Sequence, residues 1–231
     1  MRMEALERIL PVGRAPARFD FCNLPTPVEK HGLKDCVLYI KRDDLISKEY
    51  SGNKTRKLEY TLADACSQEK KIINTVGAIG SNHCLATATF SRKIGLACRL
   101  FLFQQPVTEH VRMTLSMYQK LGAEILYRGS YAKTFSNFYL NSLVAGKTEY
   151  HLPAGGSSAI GNLGFVNAAL ELRDQVEAGE IPQPDYLVVA TGSMGTTAGL
   201  SVGLKLAGLA PKIKAVRVID RHNGPQPVVT E

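Results

Sequence analysis

Lys54 lies where a lysine can act as a nucleophile. It follows a turn that Gly52 permits, and it starts a predicted helix in which apolar residues such as Leu58 recur at helical spacing. We expect Asn53 to cap this helix, and we expect the positive end of the helix dipole to lower the pKa of Lys54. A less basic lysine offers the free amine that forms a Schiff base with a carbonyl compound. Taken alone, the segment is more typical of a solvated lysine at a helix start.

A second polar group follows a predicted strand at residues 72–76. The sequence GAIGSNH at residues 77–83 forms a glycine-bearing turn that leads into another predicted helix. In an open α/β sheet, ligands bind at the carboxyl ends of strands. Ser81, Asn82 and His83 would there present a hydroxyl, an amide and an imidazole beside free helix N–H groups, a set suited to a carboxylate. The plain alternative is that Ser81 or Asn82 caps the helix and His83 occupies its first turn.

A third loop, TGSMGTTAG at residues 191–199, follows the apolar segment 186–190. Its small residues let the backbone approach an anion, and the helix expected to begin near Thr196 supplies N–H groups. The spacing of these residues matches neither the phosphate-binding loop of nucleoside triphosphatases nor the GxGxxG dinucleotide-binding pattern. Serine and threonine hydroxyls among the glycines favour a phosphate monoester. A fourth junction, PAGGSS at residues 153–158, predicts by itself only a turn.

Strands and helices must alternate along the chain to position these loops. Short apolar runs predict seven strands, at residues 37–41, 72–76, 97–103, 123–127, 150–152, 186–190 and 213–219. Most of the segments between them have helical periodicity. This alternation predicts an α/β fold in which helices cover both faces of parallel sheets, a three-layer αβα arrangement.

Composition excludes several classes of protein. Hydrophobic residues make up 45% of the chain and charged residues 21%, so neither a disordered nor a fibrous protein is plausible. The net charge is +7, but the basic residues are dispersed and no aromatic-basic interleaving suggests nucleic acid. The five cysteines show no metal-ligand spacing. We expect a cytoplasmic protein with no nucleic-acid or membrane partner and no bound metal.

Taken together, the four junctions resemble the pyridoxal-phosphate enzymes of fold type II, the tryptophan synthase β type. The branch that they resemble contains D-cysteine desulfhydrase and 1-aminocyclopropane-1-carboxylate deaminase. The resemblance begins at LPTP, residues 24–27, and includes KRDD, residues 41–44. It implies pyridoxal 5′-phosphate as cofactor and two α/β domains with parallel twisted sheets. It also implies further strands and helices after Glu231, so the sequence is expected to be truncated at its C-terminus.

The same resemblance implies how the chain divides. Residues 1–57 and 161–231 would form a large cofactor-binding domain, incomplete at its end. Residues 58–160 would form a small α/β domain inserted into it. The cofactor would lie between the two domains.

Roles for individual residues also follow from the resemblance. Lys54 would bond the cofactor and move protons, and Asn82 would hydrogen-bond the ring hydroxyl oxygen. Ser81 would take part in proton handling, and Ser81, Asn82 and His83 would surround the substrate carboxylate. Lys57, one turn beyond Lys54, is expected to point away from the loop. The phosphate would lie in the cradle formed by Thr191, Gly192, Ser193, Met194, Gly195 and Thr196, where Met194 replaces a smaller residue.

The activity that the resemblance implies is elimination from a small amino acid. D-Cysteine would give a 2-oxo acid, ammonia and sulfide, and the Ser81-Asn82-His83 triplet favours this desulfhydrase-like reaction. Ring opening of 1-aminocyclopropane-1-carboxylate is one alternative. A catalytically inactive, truncated member of the family is another. The family suggests a homodimer.

Overall fold

A computed structural model of the chain describes residues 5–9, 15–34 and 36–218. Two short 3₁₀ turns, Asp43–Leu45 and Ala154–Gly156, lie between longer elements. In chain order the helices and strands are α1 (Ala5–Ile9), β1 (Val28–Gly32), β2 (Val37–Lys41), α2 (Lys54–Ser67), β3 (Ile72–Ala78), α3 (Asn82–Lys93), β4 (Ala97–Phe103), α4 (Glu109–Lys120), β5 (Glu124–Gly129), α5 (Tyr131–Val144), β6 (Glu149–Leu152), α6 (Ala159–Glu177), β7 (Tyr186–Thr191), α7 (Gly195–Ala207) and β8 (Lys212–Arg217).

Each predicted strand is present within the described residues, and most of their ends are shifted by no more than two residues. The last strand ends at Arg217, and Ile219, where we expected it to end, lies outside the described residues. Strand β1 was not predicted because its sequence, VEKHG, has no apolar alternation. It pairs with β2 in an antiparallel hairpin, which is an exception to the parallel pairing that we expected.

The largest sheet has four parallel strands in the order β5-β4-β3-β6. On one face, Leu100 and Leu102 pack in a cluster with Tyr118 of α4. On the opposite face, the ring of Phe101 meets Phe138 of α5 edge-on, with 5.5 Å between ring centroids. Helices therefore cover both faces of this sheet, which confirms the three-layer α/β class.

The chain changes direction within this sheet. It runs outward from β3 through β4 to β5, and α5 then carries it back to β6 on the other side of β3. Neighbouring strands β3 and β6 thus lie on either side of a topological switch point. Crevices at the carboxyl ends of such strands are where open α/β sheets bind ligands.

A separate parallel pair, β7 and β8, packs through Leu187 and Ile213 against the apolar cluster of α6 and α7. The division of the chain into two domains at residues 58 and 161 stays a prediction. Within the described ranges, no helix combines the length and the apolar character needed to cross a membrane.

Helix α2 is fixed against α6 by buried ion pairs. The Arg56 side chain is almost fully buried, and its guanidinium contacts Glu171 of α6 at 2.8 Å and Asp43 at 2.7 Å. Lys41 of β2 pairs with the same Glu171 at 2.6 Å. Burial alone would raise the pKa of Glu171, but the charges of Arg56 and Lys41 lower it to about 2. One carboxylate therefore joins the hairpin, α2 and α6.

Arg56→Met should lower the free energy of unfolding by about 3–5 kcal/mol, because two carboxylates would lose their buried cation. Urea denaturation at pH 7 would measure this loss. Arg173→Met provides the matched control, since Arg173 pairs with Asp174 near the surface and should contribute at most about 1 kcal/mol. Equal losses in the two variants would contradict a central role for the buried network.

Candidate active site

Lys54 is the first residue of α2, and its side chain is partly buried. Burial lowers the pKa of Lys54. The direction of this shift is the expected one, but its cause is burial and not the helix dipole. Asn53 occupies the N-cap position of α2 as predicted, but its side chain does not cap the helix. Asn53 has a helical backbone with φ of −62° and makes no capping hydrogen bond. Its Oδ1 instead accepts a hydrogen bond from Lys54 Nζ at 3.0 Å.

The second predicted group begins α3. Ser81 is the N-cap residue, and its Oγ accepts a hydrogen bond from the backbone N–H of Cys84 at 3.3 Å. The Ser81 hydroxyl therefore keeps its own proton available for donation. Asn82 is the first helical residue, and its side chain is exposed. The capping alternative is thus correct for Ser81, and it leaves the hydroxyl proton and the Asn82 amide available for a ligand.

Two tyrosine hydroxyls donate hydrogen bonds to the backbone of this turn. The Tyr50 hydroxyl donates to the backbone carbonyl of Asn82 at 2.8 Å, and the Tyr118 hydroxyl donates to that of Ser81 at 3.0 Å. Tyr50 precedes Lys54 by only four residues. Its hydrogen bond therefore ties the loop before Lys54 to the first turn of α3. Neither tyrosine was predicted as a site residue, because the contacts are between residues distant in sequence.

His83 is buried behind the turn. Its Nε2 lies 2.9 Å from Thr75 Oγ1, which itself donates to the carbonyl of Leu152 at 2.9 Å. From these partners we assign the imidazole proton to Nε2. Burial, followed by the positive charges of Lys54 and Lys57, lowers the pKa of His83 to about 3. The ring is neutral and engaged with β3, and a contact of His83 with a substrate carboxylate stays a prediction.

The glycine-rich cradle stands at the start of α7. The helix begins at Gly195, one residue before the predicted position. Met194 precedes it with φ of 64°, in the left-handed region that non-glycine residues rarely adopt. Ser193 Oγ lies 2.7 Å from Ser157 Oγ, so the cradle meets the fourth predicted junction. Thr191 and Thr197 hydroxyls lie 2.8 Å apart beside it.

Lys57 lies in this cradle, contrary to our expectation that it points away. Its Nζ donates to the carbonyl of Gly155 at 3.2 Å and to Ser157 Oγ at 3.1 Å. Residues three apart share one side of a helix, so the spacing from Lys54 could have indicated this position. Burial, and then the charge of Lys54, lowers the pKa of Lys57 to about 7. Among the described residues, no carboxylate pairs with Lys57.

The cradle residues fit a phosphate monoester. A Cβ atom at Gly195 would lie 2.3 Å from Ser157 Oγ, 2.5 Å from Asn162 Oδ1 and 2.6 Å from Lys57 Nζ. A cation, a hydroxyl and an amide thus converge at the N-terminus of a helix, whose free N–H groups and dipole favour an anion. Only glycine leaves these polar atoms in place.

Comparison with known proteins agrees with this chemistry. The family model described as pyridoxal-phosphate dependent enzyme matches residues 20–228, and the chain belongs to this family. It is 36% identical over 222 residues to the mitochondrial bifunctional D-cysteine desulfhydrase/1-aminocyclopropane-1-carboxylate deaminase of Arabidopsis thaliana, covering 87% of this chain and 54% of that protein. It is 37% identical over 213 residues to the D-cysteine desulfhydrase of Salmonella typhimurium, covering 87% of this chain and 63% of that protein. The chain therefore spans less than two thirds of the length of these two curated relatives.

Solved structures support the same fold. A crystal structure of an ACC deaminase homologue matches with a TM-score of 0.71 and 27% identity, over 93% of this chain and 77% of the other. A fungal L-serine ammonia-lyase from Rhizomucor miehei matches with a TM-score of 0.66 over 86% of this chain and 61% of the other. Its 16% identity makes it evidence for the fold alone.

Gly195→Ala should raise the dissociation constant for pyridoxal phosphate by about tenfold or more, because the added methyl displaces three polar groups from the cradle. Stability should change by only about 1 kcal/mol, since these groups are ends of flexible side chains and alanine favours helix. Absorbance titration and urea denaturation measure the two effects. Gly32→Ala is the control, because no atom lies within 4 Å of its added Cβ. Unchanged affinity in Gly195→Ala would contradict the cradle.

Proposed function

We propose that this chain binds pyridoxal 5′-phosphate in the crevice formed by Lys54, the Ser81-Asn82 turn and the cradle at α7. We further propose that it acts on a small amino acid by elimination. The proposal rests on the convergence of Lys57, Ser157 and the N-terminus of α7. Lys57 lies one helical turn after Lys54 on α2. A phosphate held there would bring the attached ring towards Lys54.

The cofactor, when bound, supplies an electron sink for the bond that breaks at the α-carbon of the substrate. Lys54 would bond the cofactor, and its lowered pKa keeps a free amine available to accept the α-proton. The Ser81 hydroxyl would donate or relay a proton, since its capping bond uses the oxygen only as an acceptor. The exposed Asn82 amide would hydrogen-bond the ring hydroxyl oxygen. Ser81, Asn82 and His83 would orient the substrate carboxylate.

D-Cysteine is the first candidate substrate. In the net reaction, D-cysteine and water give pyruvate, ammonia and hydrogen sulfide, with the α C–H and β C–S bonds broken. The names of the Arabidopsis and Salmonella relatives support this choice. The Arabidopsis name also supports a second candidate, in which 1-aminocyclopropane-1-carboxylate and water give 2-oxobutanoate and ammonia.

The setting of this function is part of the same proposal. We place the protein in the cytoplasm as a homodimer, with cofactor and substrate between a large domain (1–57 and 161–231) and an inserted small domain (58–160). The separation of the four-stranded sheet from the β7–β8 pair supports two domains. Size-exclusion chromatography with light scattering would measure the oligomeric state.

The purified chain should develop an absorbance band near the edge of the visible range when pyridoxal phosphate is added. It should then release both sulfide and a 2-oxo acid from D-cysteine. Release of 2-oxo acid from 1-aminocyclopropane-1-carboxylate alone would favour the second candidate. Lys54→Ala should abolish the band and all turnover, because no amine would remain at that position.

The control for Lys54→Ala is Lys93→Ala, which removes an exposed lysine that pairs with Glu49 and should leave the band and turnover unchanged. A band without turnover on any of these substrates would identify a catalytically inactive family member. A wild-type chain that forms no band would overturn the proposal.

Binding of pyridoxine 5′-phosphate should weaken above pH 7. This probe has no aldehyde, so it tests the cradle without bonding to Lys54. The pKa of Lys57 is about 7, and an anion binds best to its protonated form. The phosphate is already a dianion at this pH, since its second pKa is about 6. As pH rises from 7 to 9, binding must take up a proton, so affinity should fall by up to about tenfold per unit.

Lys57→Met serves as the comparison in this pH series, because it keeps a side chain of similar length and cannot titrate. Its affinity should be lower at pH 7 and nearly independent of pH above it. The charges of Lys54 and Lys57 both act on His83, whose ring is neutral, and Lys54 and His83 remain in this variant. A wild-type affinity that does not change between pH 7 and 9 would show that Lys57 does not bind the phosphate.

A further inference from the structure

Asn162 carries a buried amide end that the fold does not use. It lies in the first turn of α6, and its Oδ1 is enclosed without a hydrogen-bond partner among the described residues. An unpaired buried acceptor costs about 1–3 kcal/mol. The amide does not serve the helix start either, because Ser158 already caps α6 by accepting from the N–H of Gly161.

The unpaired atom faces the phosphate cradle. Asn162 Oδ1, Ser157 Oγ and Lys57 Nζ all lie within 2.6 Å of one point, the position of a Cβ on Gly195. Lys57 has three N–H groups, of which two bind Gly155 and Ser157. The Asn162 amide therefore borders the space between this cation and the start of α7.

We propose that Asn162 is a phosphate ligand, donating a hydrogen bond from Nδ2 to the phosphate group held beside Lys57 at the N-terminus of α7. The inference rests on the proposed function, because the phosphate is that of the cofactor. The two ends of an amide are assigned from their hydrogen-bond partners. Within the described part of the chain, Oδ1 of Asn162 is enclosed without one. A phosphate dianion offers only hydrogen-bond acceptors. With a phosphate bound, the Asn162 amide would therefore rotate so that Nδ2 takes the enclosed position.

This orientation removes the unpaired acceptor. With the amide rotated by half a turn, the donor faces the anion and Oδ1 leaves the enclosed position. Asn162 and Lys57 then contribute two donors to one phosphate from two different helices, α6 and α2. The residue would act in binding and orientation of the cofactor and would not touch the reacting carbon.

Asn162→Asp and Asn162→Ala test the assignment by absorbance titration with pyridoxal phosphate and, separately, with pyridoxal. Asp is the same size but presents only acceptors, and its charge opposes the phosphate. Half-saturation with pyridoxal phosphate should require at least about tenfold more cofactor in the Asp variant and about tenfold more in the Ala variant. Half-saturation with pyridoxal, which has no phosphate, should change by less than about twofold.

Stability separates this role from a structural one. Unfolding of unloaded Asn162→Ala should occur at the same or a higher urea concentration than in the wild type, because an unpaired buried amide has been removed. Asn137→Asp makes the same chemical change on α5, where the side chain contacts Arg128, and should bind both compounds like the wild type.

The outcomes separate the two proposals. A wild-type chain that forms no absorbance band overturns both. A wild-type band together with an Asn162→Asp variant that retains its affinity for pyridoxal phosphate overturns the Asn162 assignment alone. Equal weakening towards pyridoxal and pyridoxal phosphate would also overturn it, because the effect would then not depend on the phosphate.

Discussion

The close packing of α2 against α6 fixes how the other elements are placed. At Gly164 the helices approach so closely that a Cβ atom would lie 2.1 Å from the carbonyl oxygen of Arg56. The Arg56 side chain pairs with Glu171, which follows Gly164 further along α6. A backbone contact and a buried ion pair thus fix both the separation and the register of the two helices. Lys57, next to Arg56, is carried towards the start of α6.

That register brings together parts of the chain from different sheets. The turn after β3 and the loop after β6 lie at one crevice of the four-stranded sheet. They do so because β3 and β6 are neighbours on either side of the switch point. The segment before α7 contacts the loop after β6 through the hydrogen bond between Ser157 and Ser193. The candidate site is therefore a consequence of strand order and helix packing, and few of its contacts are local in sequence.

This distinction explains what the sequence could and could not predict. The strands were predictable because buried parallel strands are short apolar runs, as in residues 97–103. Glycine-bearing turns after strands indicated the loops for the same local reason. Strand β1 was missed because its sequence is mostly polar and lacks apolar alternation. Its strand structure comes from pairing with β2. Lys57 was assigned the wrong direction because we treated one turn of helix as separation, whereas its i,i+3 spacing places it on the side of Lys54.

Lys54, which is partly buried, and Lys57, which is buried, lie three residues apart, and an anion beside them would offset their positive charge. Burial lowers the pKa of both, and the charge of Lys54 lowers that of Lys57 further. Protonation of Lys57 is therefore less favourable while Lys54 is charged. An anion beside Lys57 stabilises the proton there, and a charged Lys57 in turn favours the neutral form of Lys54. The same phosphate that anchors a cofactor would then leave Lys54 with the free amine that bond formation requires.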